Sequence, residues 1–226
     1  MRRVSVLINP RSGVNNHLAT MIEALEDRWG QQDGELCYQI SRSAEDGRRK
    51  VRRAVAAGVD TVVVVGGDGM VNSIGAELVG SSTALAVIPT GSGNGFARHF
   101  DIPLDPLTAV ERLAGGKRIG IDVGFANGKP FFVTCSMAWD AALVKTFEKF
   151  PFRGVVPYAL AAVYEYIEYR PQSMEIEVDG KPPETVADPM IFTVANLTQY
   201  GGGACIAPRA GASDGHLELV TVPRRD

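Results

Sequence analysis

Apolar and polar positions follow one another along this chain in blocks, and the period changes from block to block. Val4-Ser5-Val6-Leu7-Ile8 is a short apolar run that breaks at Asn9-Pro10, as a buried strand does. Leu18, Met21, Ile22 and Leu25 then recur at helical spacing. A weaker strand pattern runs from Leu36 to Ile40. Ser43-Ala44-Glu45-Asp46 has the form of a capping box for a helix through Ala57, stopped by Gly58. Thr61-Val62-Val63-Val64-Val65 puts β-branched residues side by side without a polar break, the composition of a strand buried on both faces. Val71, Ile74 and Leu78 follow near helical spacing, and Ala84 to Ile88 predicts a fourth strand. Asp105-Pro106 supplies the cap and first-turn residue of a helix that ends at Gly115-Gly116. Strand and helix periods alternating in this way predict a helix-flanked, mostly parallel α/β sheet.

The rhythm changes after about residue 116. Arg118 to Val123 and Pro130 to Cys135 read as strands, and a helix-rich insert follows, with Val155 to Tyr169 its clearest piece. Met174 to Val178, Met190 to Ala195 and Leu217 to Val222 are short alternating runs separated by Gly and Pro. An antiparallel, β-sandwich-like second domain is therefore expected, with residues 1–120 as the α/β domain and 121–226 as the β-rich one.

Composition narrows the function classes. With 226 residues and 45% hydrophobic content, the chain has the balance of one large or two small globular domains. A net charge of −3 gives no bulk attraction to nucleic acid. No apolar run reaches bilayer-spanning length, and Met1-Arg2-Arg3-Val4 enters a strand too early for a signal peptide. Cys37, Cys135 and Cys205 fit no disulfide framework or zinc spacing, so a reducing cytoplasm is the expected setting.

Candidate chemistry lies at the ends of the predicted strands. In an open α/β sheet, ligands bind beyond the carboxyl ends of the strands. Asn9 to Gly13, Gly66 to Gly69 and Thr90 to Gly95 are glycine- or polar-rich loops at three such ends. Gly66-Gly67-Asp68-Gly69 opens onto a helix N-terminus, where backbone amides and the helix dipole favour an anion such as phosphate. The carboxylate of Asp68 would repel phosphate unless a cation or a transferable proton lies between them. The loop therefore points to phosphate chemistry rather than phosphate binding alone. It is not a Walker A loop, because no Gly-Lys-Ser/Thr closes it, and Gly91-Ser92-Gly93-Asn94-Gly95 lacks dinucleotide-fingerprint spacing.

Together, Ile8-Asn9-Pro10-x-Ser12-Gly13, Gly66-Gly67-Asp68-Gly69, Pro89-x-Gly91-Ser92-Gly93-Asn94, Gly120-Ile121-Asp122-Val123-Gly124, Pro208-x-Ala210 and Asp214-Gly215-x-Leu217 resemble the diacylglycerol kinase catalytic family. That family includes bacterial lipid kinases and sphingosine kinases, and the resemblance covers nearly the whole chain. The Gly-Gly-Asp-Gly element alone is shared with NAD kinases. The resemblance implies an ATP- and Mg2+-dependent kinase acting on the hydroxyl of a diacylglycerol-like or sphingoid lipid at a membrane surface. It implies that Asn9, Pro10, Arg11, Ser12, Gly13, Ser41, Gly66, Gly67, Asp68, Gly69, Met70, Val71, Asn72, Ser92, Gly93 and Asn94 hold the nucleotide. Asp68 and Asp122 match acidic positions linked to the magnesium that travels with ATP. Gly211, Asp214 and His216 match a structural metal site, the outer two through carbonyl oxygens, which suits a hard ion. The lipid would enter between the two domains, and the resemblance leaves room for a homodimer.

The chain departs from the family pattern at three places. Met70 replaces a common Thr, and Gly95 stands where several bacterial members carry Asp. Relatives also continue past the Asp214-Gly215 region to a later Asp-Gly-Glu segment that supplies the proposed general base, so a C-terminally short chain is expected here. A nucleotide-binding but inactive protein and a soluble-metabolite kinase of NAD type are the alternatives. Arg48-Arg49-Lys50-Val51-Arg52-Arg53 reads as a solvated helix face, with attraction to phosphates or an anionic surface as its functional alternative. Tyr158, Tyr164, Tyr166, Tyr169 and Trp139 read mostly as core, with a lipid-contact surface as theirs.

Overall fold

The computed structural model describes residues 2–10, 12, 18–30, 34–147 and 155–224. Four strands form the first sheet: β1 (Arg2–Ile8), β2 (Gly34–Ile40), β3 (Thr61–Gly66) and β4 (Ala84–Pro89). All are parallel, in the order β2-β1-β3-β4, with Val6 opposite Val63 and Val63 opposite Ala86. β3 lies inside this sheet, which is why its valines tolerate no polar break. Val62, Val63, Val64 and Val65 are all fully buried, and each contributes about 1.5 kcal/mol or more by leaving water.

Because side chains alternate along a strand, the two faces of the sheet build two cores. Val4, Val6, Ile8, Val63, Val65 and Ile88 pack under α1 (Leu18–Leu25), a π-helical turn (Glu26–Gly30) and α5 (Pro106–Ala114). Leu7, Val62, Val64 and Val87 pack under α2 (Ala44–Ala56), α3 (Asp68–Gly75) and α4 (Gly95–His99). Phe132 and Leu197 from the later part of the chain complete this second core, so it extends across to the β-rich domain. The helix starts follow the sequence signals. The Asp46 N–H donates to Ser43 Oγ at 3.1 Å while Asp46 Oδ2 accepts from the Arg42 N–H, and Asp105 Oδ2 accepts from the Thr108 N–H at 2.9 Å. The basic run on α2 is a solvated, ion-paired face: Arg48 and Arg52 meet Glu45, Lys50 meets Asp46, and Arg52 also reaches Glu77.

The later elements are β5 (Gly124–Ala126), β6 (Lys129–Phe131), β7 (Thr134–Ser136), α6 (Trp139–Phe147), α7 (Val155–Glu168), β8 (Met174–Ile176), β9 (Glu184–Val186), β10 (Pro189–Ala195), β11 (Gln199–Gly201), β12 (Ala204–Cys205) and β13 (Glu218–Pro223). β10 is central to an antiparallel sheet of order β13-β10-β7, and β5-β6, β8-β9 and β11-β12 are hairpins. At the heart of this domain Asp140 is only 3% exposed. Its carboxylate accepts from the Ala138 N–H at 3.2 Å, from the Thr193 hydroxyl at 2.6 Å and from the Tyr200 hydroxyl. Burial, then the hydrogen bond to Asp140 and its charge, push the Tyr200 phenol up from its ordinary value. Asp140 thus ties α6, β10 and β11 into one unit. Asp140→Ala would remove the acceptor of the half-buried Tyr200 hydroxyl and leave the buried Thr193 hydroxyl with only Ser136 Oγ as partner, and is expected to cost about 2 kcal/mol in denaturant unfolding; Asp140→Asn, which keeps an acceptor, is expected to cost less.

The structure corrects several expectations. Arg118 to Val123 is not a strand: it crosses between the domains, where Arg118 Nη2 donates to Asp60 O and the Asp122 N–H donates to Ala212 O in a loop. Pro130 to Cys135 is broken at Phe132-Val133 into the ends of two strands that pair with different partners. α3 stops at Gly75, although Leu78 still enters the core through the following turns. Tyr164 and Tyr166 are exposed rather than core, Tyr169 and Trp139 are half-buried, and the side chain of Tyr158 lies outside the described residues.

Candidate active site

The loops that follow β1, β2, β3 and β4 meet at the carboxyl edge of the parallel sheet, and hydrogen bonds stitch them into one rim. The Asn9 N–H donates to Val65 O at 3.1 Å, and the Ser41 N–H donates to Ile8 O at 2.8 Å. The Thr90 N–H donates to Gly66 O at 3.1 Å, and the Thr90 hydroxyl donates to Ser12 Oγ, which itself donates to Asn9 O. Where the β3 and β4 loops cross, backbone touches backbone. A Cβ built on Gly91 would lie 2.6 Å from Gly67 Cα, and one on Gly67 would lie 2.9 Å from Gly91 Cα. Only glycine permits this approach.

Asp68, at the first turn of α3, joins the same rim. Its Oδ2 accepts from the Gly95 N–H at 2.9 Å and its Oδ1 from the Phe96 N–H at 3.0 Å, so the carboxylate caps α4. Asn94, in the left-handed region at φ 52, is buried and clasps its own loop: Oδ1 accepts from the Gly91 N–H and Nδ2 donates to Gly91 O. Val71 is also buried, in the core beneath α3. The side chains of Asn94 and Val71 therefore shape the loops, and any contact they make with a ligand is through backbone. Met70 folds back over Gly66, where a built Cβ would lie 2.7 Å from Met70 Sδ. Ser92, Gly69 and Asn72 are exposed at the rim, and the space around a Cβ on Gly69 is open. Arg11 and Gly13 lie outside the described residues.

A cleft of about 550 Å³ opens between these loops, lined by Asn9, Pro10, Ser41, Gly69 and Met70 from the expected set. Sequence reading missed Ile40, Arg42, Gly47, Ser73 and Ile74, which line the same cleft. Ser73 and Ile74 were accessible in principle, since they fall one helical turn from Gly69 and Met70. A larger cavity of about 1120 Å³ follows the outer edge of β4 past Leu85, Phe100, Leu113 and Ile121, and it contains none of the expected site residues. The glycine loops, not the larger volume, mark the chemistry.

Asp122 occupies a different part of the molecule's polar network from Asp68. Its Oδ2 accepts from the Gly215 N–H at 2.7 Å, and its carbonyl accepts from Asn196 Nδ2. It thereby anchors the turn carrying Gly211, Asp214 and His216. In that turn Asp214 Oδ1 accepts from the His216 N–H at 2.9 Å, and the carboxylate lies so close to Gly211 that a Cβ there would be 2.5 Å from Asp214 Oδ2. The three residues expected to form a metal site are thus together, with one carboxylate among backbone groups. Among the described residues no cluster of three or more His, Cys, Asp and Glu side chains could hold a metal.

Gly201, Gly202 and Gly203, all at positive φ, were also missed, although three glycines in a row are themselves a signal. Gly93 faces them, with a built Cβ 3.7 Å from Gly201 Cα, and Arg98 lies alongside. Arg98 Nε donates to Gly93 O at 3.1 Å while its Nη1 would lie 3.5 Å from a Cβ on Gly203. Nearby, His99 bridges the domains: the Thr198 N–H donates to His99 Nδ1 at 3.2 Å, which fixes Nδ1 as an acceptor. Burial lowers the His99 pKa from the ordinary 6.5, with Asp101 opposing it. A folded-state pKa below the unfolded one means the neutral ring stabilises the fold above pH about 6.5, and that stability is lost as pH falls through the folded value. The unfolding temperature is expected to fall between pH 7 and pH 5, and His99→Asn is expected to flatten that slope.

Residues 3–126 match the diacylglycerol kinase catalytic domain, and residues 134–225 match the YegS C-terminal NAD kinase beta sandwich-like domain. The chain belongs to the diacylglycerol kinase catalytic-domain family. It is 31% identical to a diacylglycerol kinase of Mycobacterium tuberculosis, covering 96% of this chain and 72% of that protein. It is 28% identical to a diacylglycerol kinase of Bacillus subtilis, covering 99% of this chain and 75% of that one. A crystal structure of a diacylglycerol kinase from Bacillus anthracis superposes with a TM-score of 0.77 at 23% identity, over 98% of this chain and 74% of that one, which establishes the shared fold. The chain spans 72% and 75% of the lengths of these two relatives.

Proposed function

We propose that this protein is an ATP- and Mg2+-dependent lipid kinase that phosphorylates the hydroxyl of a diacylglycerol-like or sphingoid lipid. The observation that carries this reading is the single rim of strand-end loops, closed by the Gly67–Gly91 contact and by Asp68 reaching the start of α4. Its donor set suits a polyphosphate: exposed backbone at Gly69, the exposed hydroxyl of Ser92, and a first helical turn whose N-cap Gly67 provides no side-chain acceptor. Asn9, Pro10, Arg11, Ser12, Gly13, Ser41 and the Gly66 to Asn72 segment would hold the nucleotide, with Ser92, Gly93 and Asn94 closing its phosphate end. Magnesium, when bound with ATP, supplies charge neutralisation at the phosphates. Asp68 and Asp122 keep carboxylate lone pairs for its waters beyond the amide bonds described above. Arg98, pinned to Gly93 at the mouth of the domain cleft, would add a fixed positive charge there. Gly211, Asp214 and His216 would hold a structural cation that fastens the Asp122 turn.

Residues 1–120 would then be the ATP-binding domain and 121–226 the lipid-facing one. Among the described residues no helix is long and apolar enough to cross a membrane, and we place the enzyme in the cytoplasm with peripheral membrane contact. The acceptor decides between this reading and a kinase of NAD type. Purified protein with MgATP is offered a short-chain diacylglycerol, a sphingoid base and NAD in parallel. Phosphate is expected on a lipid and absent from NAD; the reverse outcome would replace the lipid with a soluble metabolite. Calorimetric ATP binding with no acceptor phosphorylated would instead identify a silent nucleotide-binding protein.

A further inference from the structure

The helix α7 is amphipathic in the wrong sense for a globular surface. Leu160, Val163, Tyr164 and Ile167 follow i, i+3, i+4, i+7 spacing and are 57, 61, 57 and 61% exposed. The side of α7 that packs against α6 is instead small and polar: Ala161 is fully buried, and Glu165 turns inward to accept from the Thr146 hydroxyl. Four large apolar residues on one helix face, exposed among the described residues, form a contiguous patch of the kind that marks an interaction surface.

We propose that this outer face of α7 docks on an anionic lipid bilayer, lying in the plane of the interface. Charge around the stripe selects that occupant. Arg224 places its guanidinium 5.8 Å from the centre of the Tyr166 ring and donates from Nη1 to Tyr169 O. Arg170 donates from Nη1 to Ile167 O at 2.9 Å. Both side chains are thus held at the C-terminal end of the stripe by carbonyl oxygens and an aromatic ring, and neither is in an ion pair among the described residues. Among the described residues of α7 the acidic side chains are Glu165, which turns inward, and Glu168, while Asp188 accepts the Arg224 N–H through its carbonyl without an ion pair to the guanidinium. Aliphatic side chains centred on one face, tyrosines at its margin and cations at its end match the acyl boundary, the headgroup layer and the anionic surface in turn. The proposal rests on the lipid-kinase reading for its purpose, since the acceptor hydroxyl of such a lipid lies at headgroup depth.

The test is sedimentation with vesicles of phosphatidylcholine containing phosphatidylglycerol, without nucleotide, so that docking is read independently of catalysis. Wild-type protein is expected to pellet with these vesicles, and Val163→Gln/Ile167→Gln to lose at least about tenfold in partitioning. Arg170→Ala/Arg224→Ala is expected to weaken binding to the anionic vesicles while leaving binding to pure phosphatidylcholine unchanged. Both variants should phosphorylate a water-soluble short-chain lipid at the wild-type rate but lose activity on vesicle-embedded substrate. Unchanged partitioning in both variants would overturn the proposal. So would a wild-type dimer in sedimentation equilibrium that Val163→Gln/Ile167→Gln converts to monomer, because a second copy would then be the occupant. Vesicle binding without phosphorylation of any lipid would contradict the kinase reading and leave the docking face standing.

Discussion

Asp68→Asn is expected to lower phosphoryl transfer by about 10²–10³-fold, the scale seen when one preorganised polar group is lost from a site. The reason lies in two hydrogen bonds. Both oxygens of Asp68 accept backbone N–H groups, from Gly95 and from Phe96. Asparagine keeps the size but has only one acceptor oxygen, so in either orientation its amide group meets one of those N–H groups donor to donor. The start of α4 then shifts, and with it Gly93 and the Arg98 guanidinium bonded to it. On the proposed function, the lost negative charge would also remove a partner for the waters of the magnesium that comes with ATP. Stability should fall by only about 1 kcal/mol, because the site is partly exposed and water can replace one acceptor. Steady-state kinetics together with thermal unfolding separate the two effects. Activity near the wild-type value would remove Asp68 from the catalytic centre.

Gly91→Ala should have the largest effect on the fold of the site. Its Cβ would meet Gly67 Cα at 2.6 Å and the buried Asn94 Oδ1 at 2.9 Å, neither of which is the end of a flexible side chain. The β3 and β4 loops must part, straining the bond from the Thr90 N–H to Gly66 O. We expect a loss of about 3 kcal/mol, at the upper end of overpacking costs. Displacement of the phosphate-facing loops should also cost about 10²-fold in rate. Gly69→Ala is the matched control: its Cβ meets nothing within 4 Å, and alanine is favoured over glycine inside a helix. It should hold or slightly raise stability. Equal destabilisation by both changes would mean that the loop crossing does not control the site.

Much of the α/β domain could be read in the sequence because its signals are local. The unbroken run from Val62 to Val65, the Ser43 box and the Asp105-Pro106 cap each specify structure within a few residues, and the structure places β3, α2 and α5 where they indicate. The segment from Arg118 to Val123 has strand-like alternation, but its backbone partners are the distant Ala212 and Asp60, and alternation does not reveal pairing. The tyrosines of α7 carry the same spacing whether the stripe faces a core or a surface, so periodicity alone could not orient them. Within the site, the glycines and Asp68 were legible as chemistry. What Asp68 and Asp122 each grip was not, because those partners arrive from loops 27 residues away for Asp68 and 93 for Asp122. Arg98 and Gly201–Gly203 escaped because they approach one another across a long stretch of sequence, and no local period signals such an approach.

The destination of the γ-phosphate is the most direct test of a lipid kinase site at this rim. Single-turnover incubation of the purified protein with γ-labelled ATP, magnesium and a micelle-dispersed diacylglycerol should transfer the label into the lipid-extractable fraction in wild type, with little transfer in Asp68→Asn. Label that stays in ATP, or leaves only as inorganic phosphate with diacylglycerol and sphingoid acceptors alike, would contradict the reading of this rim as a lipid kinase site.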